Sequence, residues 1–481
     1  MKPPTNKPCR KTQQIRISSC LLSFSGIFLS VLVTPSMAGM PDYDKTPAQA
    51  IVARQSQKPD LPDPGNSVDS QQIPGLDPDM TGEPTETLVL PQALMLALTN
   101  NPELGAFSQE IRAREATVLQ ANLLPNPEFG VNASNFGNNR FQGFDAASVT
   151  LQLSQLIELG GKRAARTEAA TLAQELANWD YESKRIEVLT QVTRAFIAVL
   201  AAQKSLALQR QLQNLARQVS ETTVAQMRAG SVTAVEVAKA RVALASSRIA
   251  VMRAERELQA ARKRLAAGWG NTTPHFQAVA GDLETIREPP PLEALLQRLE
   301  KNPDLARWAT EISQRQALIA VEKSKAIPNV TVTLGTNQYL DGNDFNMMAD
   351  LSIPLPVFDR NQGRILAAER RLGKAQSSRR NSEVRISTAL HTTYQRLLAA
   401  YTAVITLRED IIPGAQSAYD ATRRGYRLGR FDFLNLLDAQ RTLFGVKTQY
   451  LRELADYHFQ VAELERLIGG ALQTNPETFN K

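Results

Sequence analysis

The hydrophobic pattern of this chain changes period several times, and each change marks an element. Phe129, Val131 and Ala133 alternate with Gly130, Asn132 and Ser134, and Val149, Leu151 and Leu153 alternate with Thr150, Gln152 and Ser154. The same period of two returns at Val330, Val332 and Leu334, and again at Ala349, Leu351 and Ile353. Such segments read as strands with one apolar face and one small polar face. They are predicted at about 127–137, 146–156, 329–340 and 346–356. Past Gly160-Gly161 the period becomes helical, and residues 162–229 contain neither glycine nor proline. A helix over those 68 residues would reach roughly 100 Å at ~1.5 Å per residue. The corresponding stretch after Gly363 holds Gly373, Pro413-Gly414 and Gly425, which predicts interruptions there and a kink near Pro413. The helices that follow carry stripes stepping by four and three. Leu443, Lys447, Tyr450, Leu454, Tyr457, Val461, Leu464 and Ile468 form one, and Val235, Ala238, Val242, Ala245, Ile249 and Met252 the other. Each reads as a coiled-coil seam.

The elements recur in the same order about 200 residues apart. "LVLPQALMLALTNNPEL" (88–104) is answered by "LEALLQRLEKNPDL" (292–305), which sets Asn101-Pro102 against Asn302-Pro303. "NLLPNPEFGVNAS" (122–134) is answered by "KAIPNVTVTLGT" (325–336), and "RAGSVTAVEVAKA" (228–240) by "RLGRFDFLNLLDA" (427–439). Both copies close on Arg-Leu, at Arg264-Leu265 and Arg466-Leu467. The reading is therefore two repeats, 86–270 and 291–470, joined by a linker at 271–290 and followed by a tail at 471–481. Each repeat has long hairpin helices, at 161–268 in the first and 361–468 in the second.

Charge and cysteine content change once the first residues are set aside. Lys2, Lys7, Arg10, Lys11 and Arg16 precede a short apolar run at 20–33 and the small residues Ser36 and Ala38, the grammar of an export signal cleaved after Ala38. An uncleaved anchor is the alternative. Removing 1–38 leaves 50 Lys and Arg against 48 Asp and Glu, so the formal charge falls from +7 to +2. The basic balance is then no argument for nucleic acid. Cys9 and Cys20 leave with the signal, which excludes disulfides, thiolate metal sites and a cysteine nucleophile from the mature chain. Residues 39–85 are rich in Pro, Asp, Gly and Ser and read as a flexible arm.

Chemistry is not legible. His275, His391 and His458 are far apart in sequence, and no phosphate-cradling loop, nucleophile elbow or HExxH is present. Met347-Met348 reads as surface filler at a strand start, and Glu453 and Asp456 as helix residues that are solvated or paired with a neighbouring helix. No enzyme, cofactor or bound metal is expected. The strands are more informative. Four segments with one apolar and one wet face suit a membrane barrel, and Phe136, Phe141, Phe144, Tyr339 and Phe345 cluster at their ends as an interfacial belt would. Four strands cannot close, so in lipid their edges must pair with other chains. Two chains would give a tight eight-stranded barrel, and three a twelve-stranded one with a lumen.

With these features in place, the chain resembles the TolC family of outer-membrane efflux proteins over about residues 86–470. "QLSQLIELGGKRAAR" (152–166) and "PLPVFDRNQGRI" (354–365) are most similar to the outer-membrane components of heavy-metal RND exporters, the cobalt–zinc–cadmium branch. The resemblance implies a mainly α fold with a small membrane β-barrel, four transmembrane strands per chain closing as a trimeric twelve-stranded barrel above a periplasmic α-helical tunnel. It implies a homotrimer embedded in outer-membrane lipid, with a periplasmic adaptor and an inner-membrane RND pump as partners. It also implies roles for residues. Gly160, Gly161 and Gly363 mark strand-to-helix junctions. Gly230, Ser231, Val232, Gly429, Arg430 and Phe431 form adaptor-docking tips. Asp438, Asn435 and Glu236 narrow the periplasmic entrance, although Asn435 stands where the family carries an acid. A duct for type I protein secretion or multidrug efflux shares the fold, and a poreless coiled-coil scaffold shares the seams.

Overall fold

The computed structural model describes residues 82–137, 147–340 and 344–472. The signal segment, the arm up to residue 81, Phe141, Phe144 and the tail beyond 472 lie outside the described residues.

The element order runs through one succession twice. Strand β1 (Thr87–Val89) leads into helices α1 (Leu90–Asn100) and α2 (Pro102–Ala121), strands β2 (Glu128–Ser134) and β3 (Ser148–Ile157), and helices α3 (Lys162–Arg228) and α4 (Ala234–Ala267). Strand β4 (Ala278–Ala280) is followed by α5 (Leu292–Arg298), α6 (Pro303–Lys325), β5 (Val330–Tyr339), β6 (Phe345–Ser352), α7 (Gln362–Thr406), α8 (Ile412–Arg427) and α9 (Phe433–Ile468). The two Asn-Pro pairs show why the successions match. Asn101 and Asn302 are N-caps of α2 and α6, and each proline occupies the first helical turn, where a missing N–H costs nothing. Asn101 Oδ1 accepts from the backbone N–H of Glu103 and Leu104, and its Nδ2 donates 2.8 Å to the Gly268 carbonyl. Asn302 caps Asp304 in the same way and donates 2.8 Å to the Leu467 carbonyl. In both places one side chain starts an ascending helix and holds the end of a returning one.

Four strands form one antiparallel sheet in the order β2-β3-β5-β6. Its register places Phe129, Leu153, Leu334 and Ala349 in one lateral row and Val131 beside Leu151 in the next. This face is apolar and open, with Phe129 68 % and Met347 86 % exposed. The opposite face carries Asn132, Thr150, Asn337 and Asn346 in one row and Ser154 and Thr333 in another. Its hydroxyls and amides bond laterally: Thr150 Oγ1 donates 3.2 Å to Asn337 Oδ1, and the Ser154 and Thr333 hydroxyls meet at 2.9 Å.

Helix α3 meets the length and hydropathy requirement for a bilayer-crossing helix. Its Val192, Phe196, Val199 and Leu200 are instead packed in a protein core with Leu96, Leu265, Trp269 and Phe276. A second core joins α5, α7 and α9 through Leu295, Leu390, Leu397 and Leu464. A third joins Ala240 of α4 to Tyr419 and Tyr426 of α8 and Phe433, Leu436 and Leu443 of α9.

Three findings depart from the sequence reading. Gly373, Gly414 and Gly425 do not interrupt their helices; the irregularity is a π-turn at Leu407–Ile411. Pro413 has no N–H to donate and its ring crowds the carbonyl four residues earlier, so the turn before it widens. The stripe Val235, Val242, Ile249 and Met252 is not buried within the chain, being 47–66 % exposed. The face of α4 that packs inward holds Val237, Ala240, Ser247 and Val251, and Val235 and Val242 of the stripe line an open groove of about 1220 Å³ opposite α9. Thirdly, residues 271–290 hold β4, which runs parallel to β1 with Leu88 beside Val279. A three-residue strand is too short to show a period.

The segment after β4 is strapped to α9. Tyr450 Oη donates 2.6 Å to Glu284, His458 Nε2 donates 3.0 Å to the Leu283 carbonyl, and Tyr457 Oη donates 2.7 Å to the Arg287 carbonyl. Burial holds the His458 imidazole below its ordinary pKa of 6.5. The unfolded chain therefore binds the proton first, and stability falls as pH drops below about 6.5. Thermal unfolding of the wild type should show a lower midpoint at about pH 5.5 than at about pH 7.5, and His458→Gln should flatten that slope. An equal pH slope in both proteins would remove His458 as its source.

Candidate functional site: the hairpin tips and the strand-to-helix junctions

Two helical hairpins reverse at Gly230 and Gly429. Both glycines have positive φ, +77° and +72°, a conformation that a Cβ disfavours. At the first tip the Ser231 N–H donates 2.9 Å to the Gln226 carbonyl and the Gly230 N–H 3.0 Å to the Met227 carbonyl. At the second, Arg430 donates 2.9 Å to Gly425 and Gly429 3.1 Å to Tyr426. Both are Schellman closures, which satisfy the last carbonyls of a helix. Returning helices begin four residues after each glycine, at Ala234 and Phe433. Thr233 caps α4 in a reciprocal box with Glu236, whose Oε2 accepts the Thr233 N–H at 3.2 Å. Asp432 caps α9 and accepts the Asn435 N–H at 2.9 Å.

These local bonds sort the predicted gate residues. Glu236 and Asn435 stand at equivalent third positions of the two returning helices. The Glu236 carboxylate is committed to its own cap, and Asn435 contributes its backbone N–H to Asp432. Asp438, one turn further, is exposed and its carboxylate forms no hydrogen bond or ion pair among the described residues. Of the three predicted gate residues it is the one whose carboxylate has no local partner among the described residues.

The tips also hold contacts that sequence reasoning missed. The Phe431 ring lies against Gly425, where an added Cβ would come within 2.1 Å of it. An aromatic two residues past a tip glycine, with a second glycine four residues before the tip, is the legible signal. Tyr426 Oη donates 2.8 Å to Gln226 Oε1 and so ties the second hairpin to the first. Val232 is half-buried, while Leu428, Phe431 and Leu434 are 69, 47 and 51 % exposed.

At the first junction Gly160 and Gly161 both take positive φ, +72° and +69°. A Cβ on Gly160 would also meet Ile327 at 2.7 Å. Lys162 Nζ donates to the Ile327 carbonyl and to Asn329 Oδ1. Arg166 pairs with Glu158 at 2.7 Å and donates to the carbonyls of Ala121 and Leu123. These cations are thus held by the protein's own oxygens. At the second junction the left-handed residue is Asn361, at φ 59°, rather than Gly363, which sits inside α7 with open space around it. Asn361 Nδ2 donates 2.7 Å both to the Glu322 carbonyl and to its carboxylate. Asparagine tolerates the left-handed region, and here its side chain also anchors the turn.

The profile of the outer membrane efflux protein family matches residues 93–271 and 294–470. Its two blocks fall on the two successions of elements. The cobalt-zinc-cadmium resistance protein CzcC of Cupriavidus metallidurans is 33 % identical over 382 residues, covering 79 % of this chain and 90 % of that protein. Outer membrane protein TolC of Escherichia coli is 22 % identical, covering 79 % of this chain and 82 % of its own. Among solved structures, the CusC channel aligns with a TM-score of 0.69 at 18 % identity, over 79 % of this chain and 92 % of that one. Family profile, fold and the paired hairpins on a four-stranded sheet agree: the chain belongs to the outer membrane efflux protein family.

Proposed function

We propose that the chain is the outer-membrane exit duct of a tripartite RND-type efflux system in a Gram-negative bacterium, exporting heavy-metal cations. One observation carries the duct reading: the four-stranded sheet is apolar and exposed on one face and polar on the other. Facing lipid with the first and a lumen with the second is the arrangement of a membrane barrel. A poreless scaffold has no use for such a sheet. Among the described residues strands β2 and β6 each have one partner, so a barrel forms when β2 of one copy pairs with β6 of the next, and three copies give room for a lumen. The hairpin helices then continue as the tunnel, and their tips at Gly230 and Gly429 dock a periplasmic adaptor. Resemblance to a cobalt-zinc-cadmium resistance protein over most of both chains supports the metal substrate. Transport through a preassembled passage requires no catalytic residue.

In this assembly three Asp438 carboxylates face one another around the entrance, repel one another and attract cations. Purified protein in planar bilayers should conduct. Asp438→Ala should raise its conductance and weaken block by multivalent cations by about tenfold, because three charges leave one ring together. Unchanged conductance and block would make Asp438 a solvated helix residue, and an absence of conductance in the wild type would refute the duct.

The docking role has a separate test. Gly230→Asp and Gly429→Asp should abolish metal export by cells while leaving assembly and barrel insertion intact, because tip and sheet lie at opposite ends of a helix roughly 100 Å long. Normal export by both variants would place docking elsewhere.

A further inference from the structure

The two tips differ in charge. Over residues 420–432 the second hairpin carries Arg423, Arg424, Arg427 and Arg430 against Asp420 and Asp432. The matching residues of the first, 221–233, carry Arg228 against Glu221. The two acids of the second tip are already engaged. Asp420 lies 3.6 Å from Arg423, and the Asp432 carboxylate caps α9. Arg424, Arg427 and Arg430 are exposed and have no carboxylate within 4.0 Å among the described residues. Arg424 and Arg427 sit in the last turn of α8, where they complement the helix dipole. Arg430 lies beyond the turn and has no such role. Interleaved with these arginines along the chain, or just after them, Leu428, Phe431 and Leu434 stand exposed. Arginine beside apolar and aromatic anchors is the composition of interface hot spots. The ring of Phe431 is already seated on Gly425, so this surface is preorganised.

We propose that the second tip recognises carboxylates on its partner: it docks an acidic, apolar-centred segment, whereas the first tip is indifferent to the partner's charge. The proposal rests on the reading of the tips as docking surfaces. Each protomer then offers two inequivalent tips, and charge decides which partner segment sits on which.

The test uses the full-length protein in detergent and two synthetic helical-hairpin peptides with the same leucine-centred turn. One carries four glutamates beside the turn and the other four lysines. Surface plasmon resonance should give at least about tenfold tighter binding of the glutamate peptide at about 50 mM salt, shrinking at about 300 mM as screening shortens the reach of the charges. The combined Arg424→Glu, Arg427→Glu and Arg430→Glu variant should invert the preference, and Arg228→Glu should leave it. These side chains are exposed, and circular dichroism checks that the variant retains its helices. Equal binding of the two peptides, binding of neither, or an unchanged preference in the triple variant overturns the proposal. Export by cells separates it from the reading beneath it. If Gly429→Asp stops export while the triple variant exports normally, tip docking stands and carboxylate recognition falls. If both export normally, both fall.

Discussion

Strand β2 hydrogen-bonds to β3 and strand β6 to β5, and among the described residues the sheet of one chain ends there on both sides. In water such edges would be satisfied by solvent, but an apolar face this open calls for lipid, and lipid offers no donors or acceptors. Everything else in the molecule is arranged around that constraint. In the proposed assembly the edges find a neighbour, the neighbour sets the ring, and the ring fixes where each long helix hangs. In that proposal backbone hydrogen bonding across chains, more than any single side chain, makes the passage.

Helices can follow such a sheet only if the chain changes direction where each strand ends. The two junctions do this differently. Gly160 and Gly161 use two left-handed residues in succession, and a contact with Ile327 leaves no space for a side chain at the first. Asn361 uses one, and its amide replaces the second glycine by gripping Glu322. Far below, Gly230 and Gly429 reverse the helices with matching Schellman closures. Between these ends the Asn101 and Asn302 caps clamp the start of one helix to the end of another. The scaffold is thus set by a few residues with unusual backbone angles or double-sided amides, and the helices between them need only a seam.

Much of this was legible in the sequence because it is periodic. Alternation located the four strands to within a few residues, and the glycine-free run located α3. What escaped detection was either too short for a period or dependent on a distant partner. Strand β4 has three residues. Asn361 reads as an ordinary turn residue until Glu322 is placed beside it. The α4 stripe from Val235 to Met252 has the right spacing, yet its exposure shows that spacing identifies an apolar face without naming what covers it. At the candidate site, glycine count and offset found both tips, while the engagement of Glu236 in its own cap could be read only from the Thr233 backbone.

The most direct test of the account is whether β2 of one copy lies beside β6 of another. Asn132 and Asn346 occupy one lateral row on the polar face, at opposite edges of the sheet. Asn132→Cys and Asn346→Cys together supply thiols to residues 39–481, which hold no other cysteine. A bis-maleimide reaching about 10 Å tolerates a register offset of two residues, about 7 Å. Treated in native outer membranes and separated under denaturing conditions, the double variant should give a ladder ending at three chains, with each single variant remaining a monomer. A double variant that stays monomeric, or a ladder that runs past three, would contradict the closed three-chain barrel.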